Sequence, residues 1–121
     1  MIARTFLLAA ALVASTAANA HEPRKGPNGG TLVDAGDHHV ELVAAGNEVR
    51  VYVSDAADAP LPSDDFKGTA ILLVGGKPAR VPLAPAGAFL AGPLETPAEG
   101  PVKGAVQLTT SDGKTSQAKF D

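Results

Sequence analysis

All three histidines of the 121-residue chain, His21, His38 and His39, lie in its first third, and Glu41 follows His39 by two positions. Imidazole nitrogens beside a carboxylate are the donors that hold zinc or copper. On an extended chain His39 and Glu41 share a face about 6.6 Å apart, whereas His38 points to the opposite face. His21 would be the first residue of the mature protein if a leader were cut after Ala20. Its α-amine and imidazole would then chelate one ion, a donor set that suits copper(II). These four residues, His39 and Glu41 first, with His21 and His38 as additional donors, are the candidate metal ligands. A plainer reading stands beside it: an untethered His21, a histidine pair ending a strand, and Glu41 paired diagonally with Arg50 on a solvated face.

Other clusters carry less chemistry. Asp55, Asp58, Asp64 and Asp65 are spread along a stretch containing Pro60 and Pro62. They lack the ligand spacing of a calcium loop, so the segment reads as a solvated loop. Gly75-Gly76-Lys77 lacks the spacing and helix of a phosphate loop and reads as a turn. No nucleophile elbow or triad context surrounds any serine. With no Cys in the chain, thiol catalysis, thiolate metal sites and disulfides are excluded. The expectation is a protein that is not an enzyme.

Residues 1–20 read as a signal peptide. Arg4 supplies the positive charge, Phe6 to Ala14 the apolar run, and Ala18-Asn19-Ala20 the cleavage site. The run is too short to span a bilayer, so the expected location is the periplasm, with no membrane insertion after cleavage. The whole chain has a formal charge of −3. Without Arg4 the remainder is slightly more acidic, and it has no basic cluster, which argues against nucleic acid as a partner. Roughly a hundred residues make one domain with a modest core.

Residues 21–30, rich in Pro, Gly and charge, read as an extended N-terminal arm. Residues 31–121 read as a single β domain. Within it, β-rich runs alternate with Gly, Pro, Asn and Asp at about ten-residue spacing. Strands are expected at Thr31–Val33, Thr69–Val74, Ala79–Leu83, Ala88–Ala91, Val102–Thr110 and Thr115–Phe120, with turns at 75–77 and 111–114. The stretch His38–Asp55 reads as a hairpin around Gly46-Asn47. In that register Ala44 faces Val49, Leu42 faces Val51 and Val40 faces Val53, all apolar, while Glu41 faces Tyr52 and His39 faces Ser54 on the polar side. A slip of one residue would mix the two faces. The fold class expected is all-β, an immunoglobulin-like antiparallel sandwich of about seven strands.

The run Gly26-Pro27-Asn28-Gly29-Gly30-Thr31-Leu32-Val33, followed by His38-His39-Val40-Glu41-Leu42-Val43, resembles a family of small secreted bacterial proteins. It is also similar to a module of the periplasmic adaptors of heavy-metal efflux pumps. The resemblance extends through Val49 to Asp55 and on to Ala118-Lys119-Phe120. Many relatives carry His where this chain has Asn28, while the His-x-Glu part is intact as His39 and Glu41. A looser likeness, in the expected sandwich and the mature N-terminal His, is to CopC-type periplasmic copper carriers. The resemblance implies a carrier, buffer or efflux accessory for copper or zinc. The alternative is an interaction module of an efflux or envelope assembly that works without bound metal.

Overall fold

The computed structural model describes residues 23–121, so the expected leader and His21 lie outside the described residues. The expectation of an all-β chain holds. Eight strands run in the order β1 (Arg24–Lys25), β2 (Thr31–Ala35), β3 (His38–Asp55), β4 (Phe66–Val74), β5 (Lys77–Pro85), β6 (Leu90–Ala98), β7 (Lys103–Thr110) and β8 (Thr115–Phe120). A short 3-10 turn, Ser63–Asp65, precedes β4. No helix among the described residues is long and apolar enough to cross a membrane.

All pairing is antiparallel, and the sheet order is β1-β2-β3-β6-β5-β4-β7-β8. Where the sequence suggests two stacked sheets, one sheet curls into a half-barrel. Its two ladders join at a narrow seam, where Ala84 and Pro85 of β5 meet Ala91 and Leu90 of β6. The curl brings the far ends together: a Cβ placed on Gly36, in the β2–β3 turn, would lie 3.7 Å from the Cβ of Ser116 on β8. The concave side holds an aliphatic core that includes Val40, Val49, Val51, Leu72, Leu90, Val106 and Leu108, with Phe66 and Phe120 as its aromatic members.

β3 runs unbroken from His38 to Asp55, yet the strand cannot be straight. The His39 Nδ1 lies 2.6 Å from Asp58 Oδ1, and the Asp58 amide donates to the Asp55 carbonyl at 3.0 Å. A straight run from His39 to Asp55 would separate them by about 50 Å. The strand therefore doubles back. Its tip is Gly46, at φ +59°, with Asn47 following, as in a turn whose first central residue must be glycine. Each arm has its own outer neighbour, since Thr31–Ala35 pair with 38–42 and Leu90–Pro93 pair with 48–51. Val40 and Leu42 on one arm and Val49, Val51 and Val53 on the other all enter the core. Even positions face inward before the tip and odd positions after it, the register expected of the hairpin.

Three details depart from the sequence reading. The arm carries a short strand, with Arg24 opposite Leu32 and Lys25 opposite Thr31. β6 continues beyond Ala91 through Pro93 and Pro97 to Ala98. Prolines argue against an interior strand because they cannot donate to a ladder; here β6 meets β5 only at Leu90 and Ala91, so most of that flank has no ladder to satisfy. For the same reason β5 accommodates Pro78 and Pro82. Finally, the acidic loop is ordered by the Asp55 Oδ1, which accepts from the Ala57 and Ala59 amides at 2.9 Å each.

The doubled strand can be checked directly in a chain without native cysteines. Val43→Cys/Arg50→Cys should close an intramolecular disulfide on mild oxidation, because facing cross-strand Cβ atoms lie about 5 Å apart, whereas a straight strand would hold them about 23 Å apart. Leu90 is fully buried at the seam between the two ladders. Leu90→Ala should lower unfolding free energy by about 2–5 kcal/mol, read from the denaturant midpoint.

Candidate functional site

Strand alternation puts His39 and Glu41 on the same side of β3, away from the aliphatic core, and there their environments diverge. The arm folds over Glu41 and leaves it 1% exposed. Its carboxylate accepts from the Asn28 amide (Oε2 at 2.9 Å, Oε1 at 3.2 Å), from Asn28 Nδ2 (2.9 Å) and from the Gly30 amide (2.8 Å). The turn is closed on itself by Gly26 N donating to Gly30 O at 2.9 Å and Gly29 N to Gly26 O at 3.2 Å. Two successive-turn amides converging on one carboxylate form an anion-binding nest, with Glu41 as its internal anion. The approach is close enough to demand glycine at position 26, where a Cβ would sit 2.2 Å from Glu41 Cδ. Arg50 does not pair with Glu41; its Nε donates to Glu48 Oε1 at 2.6 Å, and its guanidinium lies 4.6 Å from the centre of the Phe89 ring.

His39 is held between two acids. Its Nδ1 meets Asp58 Oδ1 at 2.6 Å and its Nε2 lies 3.2 Å from Asp34 Oδ1, with the side chain 14% exposed. Asp34 sits directly opposite His39 across the β2–β3 ladder. Asp58 reaches over from the loop and is the one non-glycine residue at positive φ (65°) among those described. A left-handed Asp costs conformational energy that a local contact must offset. The two carboxylates occupy opposite edges of the ring, so they clamp β2, β3 and the loop together; a single ion could not take both nitrogens. Arg24 Nη1, 3.7 Å from Asp34 Oδ1, ties the arm to the same cluster.

His38 faces the other way, packing edge-to-face on Phe66 at 5.4 Å between ring centres. Of the expected ligands among the described residues, His39 and Glu41 share a face, each already engaged, and His38 is on the opposite face; His21 lies outside the described residues. No group of three His, Asp or Glu side chains among the described residues is placed to hold one ion.

What the face does form is a cleft of about 680 Å³. Lys25, Pro27 and Asn28 of the arm make one wall and Asp58 and Pro60 of the loop the other, with Glu41, Tyr52 and Ser54 between them. Tyr52 is backed by Phe89, with ring centres 5.3 Å apart. That Glu41, Tyr52 and Ser54 line one cleft agrees with the polar face that the hairpin register assigns them. The roles of Asp34 and Asp58 were missed. Asp34 had a usable signal: treating Gly36-Asp37 as a two-residue turn pairs residue 34 with 39. Asp58 had none, since its contact depends on the path of a loop.

Compared with models of known families, with curated proteins and with solved structures, the chain finds no match in any of the three.

Glu41→Ala should lower stability by about 2–4 kcal/mol, because the Asn28 and Gly30 amides lose a charged acceptor. It should also speed tryptic cleavage after Lys25 in the native state.

Proposed function

We propose that the chain is an exported, non-enzymatic binding module of the cell envelope that takes its partner in the cleft between the arm and the 55–60 loop. The observation that supports this is the construction of that cleft. Two internal contacts, Asn28–Glu41 and His39–Asp58, hold its opposing walls apart, and between them Tyr52 offers an aromatic surface braced by Phe89. Rigid walls around an aromatic floor lower the ordering cost of binding. Of the segments that resemble the efflux-adaptor module, 26–33 supplies the arm wall and 38–43 supplies Glu41 between the walls. The leader accounts for the location.

The test is site-specific photo-crosslinking in intact cells. A photoreactive residue in place of Ala88, on the cleft rim, should give a discrete adduct, and one in place of Ile71, exposed on β4, should not. Equal labelling at both positions, or none at Ala88, rules the reading out.

A second reading, a copper or zinc carrier, draws on one further observation. Arg24 Nη1 lies 3.7 Å from Asp34 Oδ1, so the arm passes beside the Asp34–His39–Asp58 cluster, and His21 precedes Arg24 by three positions. An ion held by His21 and His39 would displace one clamping carboxylate. Protein beginning at His21 would then take up one equivalent of copper(II) or zinc. A hundredfold excess of free ion over its dissociation constant would add about 2.7 kcal/mol of stability. Loss of that gain in His39→Ala, and in protein with an extra residue ahead of His21, is the expected outcome; an unchanged gain in both removes this reading.

A further inference from the structure

We propose that Asn28-Gly29 is a self-modifying site, at which deamidation converts the clasp that holds the arm into a repulsion that releases it. Asn followed by Gly is the dipeptide most open to this chemistry, because a glycine leaves the following amide nitrogen unshielded. Once the turn opens enough to free the Gly29 N–H from Gly26 O, to which it donates at 3.2 Å, the Gly29 nitrogen loses its proton to water and attacks Asn28 Cγ. The Cγ–Nδ2 bond breaks, and the side-chain nitrogen departs as ammonia. Water then opens the five-membered succinimide at either carbonyl, leaving aspartate or isoaspartate at position 28. Nothing is consumed but water, and both residues are exposed to it. Gly29 stands at φ +84°, with no atom within 4 Å of where a Cβ would be.

The fold gives this common reaction an unusual consequence. The group lost, Nδ2, is a donor to Glu41 Oε1 at 2.9 Å. The group gained is a second carboxyl against a carboxylate that is 1% exposed. Two carboxylates that close, one of them shut away from water, do not both stay charged and adjacent; one takes up a proton or they separate. Separation is the easier course, because among the described residues the arm pairs with β2 through Arg24 and Lys25 alone. The isoaspartate product adds a methylene to the backbone of a turn whose ends are tied at 2.9 Å, which also opens it. Asn47, at the hairpin tip and followed by Glu48, provides an internal reference, since its neighbour has a side chain that slows the attack.

The experiment ages the full exported protein at mildly alkaline pH and maps tryptic peptides by mass. Cleavage after Lys25 and Arg50 yields one peptide, 26–50, that contains both asparagines, and fragmentation assigns the conversion to either. Conversion at Asn28 should outpace that at Asn47 by about tenfold, and the aged acid form, separated by anion exchange, should be cut after Lys25 in the native state about tenfold faster than the amide form. Asn28→Asp made directly should match the aged protein in that cleavage rate while Asn28→Ser stays closer to the parent. The proposal is overturned if Asn28 converts no faster than Asn47, or if the acid form holds its arm as tightly as the amide form.

Discussion

The Glu41 carboxylate is the contact on which the organisation of this face depends. A strand residue on the side away from an aliphatic core is ordinarily solvated, and at such a position a carboxylate needs no partner. Here the arm covers it, and burying a charge is costly unless its oxygens are satisfied. Four donor contacts from Asn28 and Gly30 meet that requirement. The interaction works in both directions: the turn needs an anion to collect its converging amides, and the glutamate needs the turn to replace water. The glycine at position 26 is explained by the same contact, because any side chain there would strike Glu41.

A second contact holds the other side of the cleft by a different means. His39 joins residues from β2, β3 and a loop by offering each ring nitrogen to a different acid. The strain of a left-handed Asp58 is accepted for that geometry. The clasp and the clamp are on one face of one strand, two residues apart, and they anchor segments arriving from opposite directions. The cleft is the space that remains between those segments. Its aromatic floor belongs to the returning half of β3, so the hairpin sets the depth of the cleft while the two acid contacts set its width.

Much of the β framework was legible in the chain. The turns at 75–77 and 111–114 each place glycine at positive φ, and the strands they join alternate cleanly, because each has one face in the core. The hairpin was legible for a stronger reason: inward positions switch from even to odd across Gly46-Asn47, and a two-residue turn is a simple way to produce that switch. The strands rich in proline were harder to read, because whether a proline is tolerated depends on whether its flank carries a ladder, and that is decided by neighbours distant in sequence. Curling into one half-barrel was likewise out of reach, since the seam between the ladders rests on two residue pairs, 84 with 91 and 85 with 90.

For the site, local order and long-range geometry divide the outcome. Alternation along a strand was enough to put His39 and Glu41 on one face and His38 on the other, because side-chain direction is a property of the backbone itself. The partners of those side chains were not determined locally. Glu41 was equally able to meet an ion, Arg50 or the arm, and only the folded path of residues 26–30 selected the arm. His39 was equally able to bind metal or to brace the sheet, and the loop that carries Asp58 brought a carboxylate to its free nitrogen. The sequence by itself determined most of the strands, their faces and which residues had chemistry to offer. Tertiary structure alone decided which of those offers were taken up, because hydrogen bonds and ion pairs depend on angstrom-scale distances between segments far apart in the chain.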